Sequence, residues 1–320
     1  MTNSKNALHL ATHSGWYRFE RRGDDWIQAD RALTYWQMSC IQVAPNDPKR
    51  VYIGTEHSGM FVTDDGGKDW TRAKPNVPCL TMSSMLALPG KLLVGTMPAA
   101  LYCTTDGGGW QELKGVRQGS AGGTFPPNPD FPARTRVLTK EKTNGARLFA
   151  GIEVAGILVS DDAGQSWQPA NEGLTDPDIH QILPSKKISG LVVTACGEGV
   201  SRSTDRGNHW QKVTPAGGRT YGNALAEDDH GTIYLGITQD RPRTWTRAGR
   251  AKSAVFKSTD GANWQLLSEN MSGGVTDITP ATDGVLIATA DGEVVALTPS
   301  GDSRTVISGL PCITAIALGA

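Results

Sequence analysis

Val51-Tyr52-Ile53-Gly54-Thr55-Glu56-His57-Ser58-Gly59-Met60-Phe61-Val62-Thr63-Asp64-Asp65-Gly66-Gly67-Lys68-Asp69-Trp70 carries the architecture of this chain in one line. It reads as a β-branched strand ending in Gly-Thr, a short turn, a second strand, and then Thr-x-Asp-x-Gly with a Trp three residues on. The phrase returns at Ser160-x-Asp162-x-Gly164-x-x-Trp167 and at Ser203-x-Asp205-x-Gly207-x-x-Trp210. Shorter turns carry it at Thr104-x-Asp106-x-Gly108-x-Trp110 and at Ser258-x-Asp260-Gly261 before Trp264. The physical logic is that of a tight hairpin. An Asp carboxylate accepts hydrogen bonds from turn amides, Gly adopts positive φ without strain, and the Trp opens the next strand with a large apolar ring.

Two further units keep the strands without the turn motif. Leu8–Thr12 and Trp16–Phe19 lead to Arg22-Gly23-Asp24-Asp25-Trp26. Near the other end, Val285–Thr289 and Val294–Leu297 lead to Ser300-Gly301-Asp302. Trp26, Trp70, Trp110, Trp167, Trp210 and Trp264 lie roughly 40–57 residues apart, the spacing of a four-stranded blade. The expectation is an all-β chain: a seven-bladed β-propeller with four-stranded blades, one domain over residues 1–320. The first unit lacks an innermost strand, and the chain ends in an orphan strand, Ile313-Thr314-Ala315-Ile316-Ala317-Leu318. Placed in the first blade, that strand closes the ring and leaves only short sheet edges.

Composition narrows the class. Lys plus Arg number 31 against 32 Asp plus Glu, so the chain lacks the basic footprint of a nucleic-acid binder. No apolar run approaches the ~20 residues that span a bilayer. The N-terminal residues show no basic stretch followed by an apolar core. Five scattered cysteines without CxxC spacing argue against a disulfide framework or zinc knuckle. Together these point to the cytoplasm.

The repeated turns resemble the Asp-box, or BNR, repeat propellers. That group includes sialidases, two-propeller xyloglucanases and assembly factors of the Ycf48 type. The resemblance covers roughly residues 7–320 and implies the fold, not a chemistry, because a propeller hosts unrelated activities. The early chain reads Trp16-Tyr17-Arg18-Phe19-Glu20, with no Arg-Ile-Pro motif, which argues against a sialidase.

In such a ring the turn between the second and third strands of each blade opens at the top of the central channel. The residue after each second strand is expected there: His13, Glu56, Met97, Glu153, Cys196, Thr238 and Ala290, with His57 and Glu198 beside them. The starts of the inner strands add Trp36, Gln37, Arg134, Arg136, His180, Tyr221 and Asp277. Three readings are open. Glu56, Glu153, His57 and His180 are candidate acid/base residues, with carboxylates paired as in glycoside cleavage. His13, His57 and His180 are candidate ligands of a divalent metal. The third is a wet channel that binds only water.

Two insertions interrupt the repeat. Gly115 to Ala133 joins the third blade to the fourth, and Gln239 to Lys252 lies between the second and third strands of the sixth blade. Both belong on the top face, where they could cover a pocket. The second carries Arg241 and Arg243 close to Trp245. With Arg134, Arg136, Tyr221 and Trp36 they are candidate substrate contacts, since guanidinium forks suit carboxylates and phosphates. The functional expectation is an enzyme acting by hydrolysis or elimination on a small, anionic or sugar-like molecule. The alternative is a non-catalytic binding or assembly scaffold.

Overall fold

The computed structural model describes residues 6–73, 77, 79–105, 109–116, 132–142, 145–215, 218–239, 241–242, 245–246, 251–269 and 271–319. Among them are seven four-stranded antiparallel sheets, each one blade of a β-propeller. In blade 1 the order from the axis outward is Ile313–Gly319, Ala7–Thr12, Gly15–Arg22 and Asp25–Ala32. The last strand of the chain therefore closes the ring, pairing Thr12 with Ile313 and Ala7 with Gly319. Blades 2 to 7 begin at the axis with Met38–Ala44, Met82–Leu88, Thr135–Lys140, Ile179–Pro184, Tyr221–Glu227 and Val275–Ala281. No helix among the described residues is long and apolar enough to cross a membrane.

The core lies between blades. Leu93, Leu101 and Cys103 of blade 3 pack on Leu138, Leu148 and Ile152 of blade 4. The same packing continues across the seam, where Leu286 and Val294 of blade 7 meet Leu8, Phe19 and Ile316 of blade 1. His9 fits this pattern: it is buried, stacks on Trp16 with ring centroids 5.7 Å apart, and burial pulls its pKa down to about 4.

The glycine near the end of the second strands has a packing job. A Cβ at Gly151 would lie 2.4 Å from Val137 and 2.7 Å from Ile179, the first inner-strand residue of the next blade. Absence of that atom lets adjacent inner strands converge on the axis.

The turns form as their residues dictate. Thr63 Oγ1 donates to Asp65 Oδ1 at 2.7 Å and accepts from the Gly67 amide at 3.0 Å. Asp65 Oδ1 then accepts the Lys68 and Asp69 amides at 2.9 and 3.1 Å. Ser160 with Asp162, Ser203 with Asp205 and Ser258 with Asp260 repeat the arrangement. Asp106 and Gly108 of blade 3 lie outside the described residues. The hydroxyl is thus as necessary as the carboxylate: it caps the glycine amide that would otherwise be buried without a partner.

Candidate functional site

Six inner strands share an irregularity just after their start. The register to the second strand slips between Met38 and Cys40, Met82 and Ser84, Thr135 and Val137, Ile179 and Gln181, Gly222 and Ala224, and Val275 and Asp277. In blade 1 the slip falls opposite Ala11 and Thr12, leaving Thr314 unpaired between Ile313 and Ala315. Each slip is a bulge, and a bulge re-aims one side chain. The seven extra residues are Ser39, Ser83, Arg136, His180, Asn223, Thr276 and Thr314, one per blade. All seven line one cavity of about 500 Å³ at the top of the channel.

This ring corrects the geometry expected from the sequence. His13, Glu56 and Ala290 do line the mouth. Cys196 and Thr238 end their second strands opposite Ile179 and Tyr221, so the residues equivalent to His13 are Gly197 and Gln239. Cys196 is buried and its thiol is pushed up to about 12, mainly by desolvation, so it is no nucleophile. Trp36 packs on Phe61, ring centroids 5.0 Å apart, in the wall between blades 1 and 2 rather than in the mouth. His57 is exposed and, like Arg241, stands outside the lining. Arg243 lies outside the described residues, as do 117–131 of the first insertion and 240, 243–244 and 247–250 of the second. Of that second insertion, Pro242, Trp245 and Thr246 line the mouth.

The densest chemistry sits on blades 4 to 6. Arg134 grips Glu153 through Nε at 2.5 Å and Nη2 at 3.1 Å. Arg136 reaches the same carboxylate at 2.5 Å and the Asn223 amide oxygen at 2.6 Å. Burial would raise the Glu153 pKa, but the charges and hydrogen bonds of Arg136 and Arg134 bring it down to about 2. Glu153 is a fixed anion at ordinary pH, and both guanidiniums are engaged by it.

His180 stands beside this cluster. Its Nδ1 lies 2.6 Å from Gly222 O. Its Nε2 faces Asp178 Oδ1 at 3.3 Å. Burial, helped by Arg136, lowers its pKa, which favours neutral imidazole. The Tyr221 ring lies tilted against it at 4.5 Å and meets Trp245 edge-on at 5.9 Å. Glu56 lines the opposite side, and no ion pair engages it among the described residues.

One group of three metal-capable side chains occurs among the described residues: Glu153, Asp178 and His180, with ligand atoms within 4.8 Å of one another. Of the expected trio His13, His57 and His180, only His180 belongs to it. The ring places the other two on blades 1 and 2, away from blade 5. Asp178 was not among the expected residues, nor were the bulge residues Ser39, Ser83, Asn223, Thr276 and Thr314. The signal for the latter was a polar residue second or third in each inner strand. For Asp178 it was spacing of two from His180.

Comparison with known proteins bears on the fold more than on the site. No protein-family model matches the chain. An oligoxyloglucan-reducing end-specific xyloglucanase from Emericella nidulans is 27% identical over 203 residues, covering 55% of this chain. The chain spans about a quarter of the length of that relative, 24%. The GH74 xyloglucanase of Xanthomonas campestris superposes with a TM-score of 0.70 at 16% identity, over 93% of this chain and 51% of that one. YCF48 bound to D1 peptide superposes with a TM-score of 0.60 at 15% identity, over 96% of this chain and 85% of that one.

Proposed function

We propose that this propeller is a glycoside-hydrolase-like enzyme that binds a sugar-like molecule in the channel mouth and cleaves it by hydrolysis. One observation carries the reading: Glu56 lines the mouth, and Glu153 is held just behind it by Arg134 and Arg136, which line it too. Glu153 is held ionised between Arg134 and Arg136, while Glu56 has no ion-pair partner among the described residues. Environments that separate two carboxylates suit division of labour, one staying anionic and the other exchanging a proton. Glu153 would stabilise positive charge developing on the sugar, and Glu56 would be the acid/base group. In the bulge ring the Ser39 and Thr314 hydroxyls donate to Met82 O and Ala11 O and the Asn223 amide is engaged by Arg136, Val275 O and Thr276 O, which leaves the Ser83 and Thr276 hydroxyls as the groups without a protein partner among the described residues.

The same geometry argues for a neutral ligand over an anionic one. Arg134 and Arg136 already satisfy Glu153, so an incoming carboxylate would have to displace it. The named relative, a xyloglucanase, supports the sugar-like class. All five cysteines are free thiols, which supports a cytoplasmic setting.

Aryl glycosides and short neutral oligosaccharides, assayed by released reducing ends, test the reading. Glu56→Gln should lower kcat about 10²-fold or more with binding retained. Glu153→Gln should lower kcat and disturb binding as well, because it frees two guanidiniums. Turnover undiminished in both variants would remove the assignment. The second reading is a non-catalytic scaffold, as the likeness to YCF48 bound to D1 peptide suggests. It predicts no turnover on any glycoside and saturable binding of a peptide at the same mouth.

A further inference from the structure

Two buried polar atoms beside the mouth face each other without a hydrogen bond. They are His180 Nε2 and Asp178 Oδ1, 3.3 Å apart. The His180 side chain is 0% exposed and that of Asp178 20%. The tautomer is set from the far side of the ring. Gly222 O can only accept, so Nδ1 at 2.6 Å carries a ring hydrogen, and in the neutral imidazole Nε2 presents a lone pair. That lone pair points at a carboxylate oxygen, which also offers lone pairs. Two acceptors so close, buried and otherwise unpartnered, call for an electron-poor centre between them. The Glu153 carboxylate lies within the same 4.8 Å compass. An imidazole whose remote N–H is tied to a backbone carbonyl is also how metal-ligating histidines are held.

We propose that His180, Asp178 and Glu153 bind one divalent transition ion of the zinc or manganese class. Imidazole nitrogen with carboxylate oxygen is the donor set such ions accept. Three residues from two successive blades provide it: Glu153 follows the second strand of blade 4, while Asp178 and His180 flank the start of the inner strand of blade 5. The opposing feature is the Arg134–Glu153–Arg136 cluster. It offsets the charge of Glu153 and leaves Asp178 as the one uncompensated anion of the three. The ion is therefore held more weakly than in a fully anionic site, and removing Arg136 tightens it. The site shares Glu153 with the proposed cleavage, but ion binding is read without turnover, so the failure of one is distinguishable from the failure of the other.

The test is a titration of the full chain with zinc chloride, and separately with manganese(II) chloride, against a chromophoric competing chelator. One equivalent is expected to bind. His180→Ala and Asp178→Asn should each weaken binding at least about tenfold. His57→Ala should leave it unchanged, and Arg136→Gln should strengthen it. Circular dichroism identifies any variant that fails to fold. In the unmodified chain, which needs no variant, the ¹⁵N resonance of His180 Nε2 should shift on adding zinc while Nδ1 keeps its hydrogen. Absence of saturable binding of both ions by the unmodified chain would overturn the proposal and leave a shared proton between Nε2 and Oδ1. So would binding unaffected by both His180→Ala and Asp178→Asn, or an unmoved Nε2 resonance.

Discussion

Glu153 shows how a single side chain is made useful by its neighbours. Desolvation alone would favour its neutral form, but two guanidiniums reverse the balance and its pKa falls from 4.5 to about 2. The linkage sign follows. A carboxyl with a depressed folded pKa adds stability that is present above its unfolded value and disappears as pH falls through the folded one. Thermal melting of the unmodified chain should therefore exceed that of Glu153→Gln at pH 7, and the gap should narrow as pH falls from about 4.5 towards 2. A gap independent of pH would show that the ion pairs contribute nothing. Asp277 has the opposite sign. Burial raises its pKa to about 6, although it accepts the Ile316 and Ile278 amides at 3.0 and 2.9 Å. Its contribution is fully present below 3.8 and is lost as pH rises through about 6, so Asp277→Asn should gain on the unmodified chain between pH 4 and 7.

Among the elements, the hairpin turns and the inner-strand bulges divide the labour. The turns hold blades together at the outer rim and are local. Ser203 Oγ donates to Asp205 at 2.8 Å and caps the Gly207 amide at 2.8 Å. Ser203→Ala leaves that buried amide unpaired and should cost about 1–3 kcal/mol in chemical denaturation. The turns were legible from Ser/Thr-x-Asp-x-Gly because every partner lies within a few residues. Bulges do the opposite work: they turn one side chain per blade towards the axis. They were not legible, because a bulge exists only relative to the strand it pairs with. The ends of the second strands lead to His13 and Glu56 at the mouth, whereas Cys196 and Thr238 fall one residue short of it. The glycine opposite the bulge is a second element-scale constraint. Gly151→Ala should cost ~1–3 kcal/mol, because the added Cβ would meet Val137 and Ile179 at 2.4 and 2.7 Å and force them to shift.

For the whole molecule, closure is what makes a mouth. Blade 1 takes its inner strand from residues 313–319, and the apolar packing of blade 7 on blade 1 depends on Ile313 and Ile316 being in place. Deleting residues 313–320 would uncover Leu8 and Leu10 and open both edges of the seam. Such a chain should lose its cooperative thermal transition or aggregate, as followed by melting and light scattering. A truncated chain that melts like the full one would mean that blade 1 closes without the terminal strand. Closure also brings Glu56 of blade 2 into the same mouth as Arg134, Arg136 and His180 of blades 4 and 5.

Repeat period, blade count and the closing strand could all be read along the chain, because each follows from residues close in sequence or from a shortfall of one strand. The identity of the site could not. Arg134 and Arg136 read as free anion contacts, yet in space Glu153 occupies both. Trp36 read as a ligand contact, yet it fills a seam between blades. Side-chain partnership in a ring is set by which residues of different blades reach the axis at the same height. That height depends on register slips and glycine contacts between strands, which have no signature in one strand taken alone.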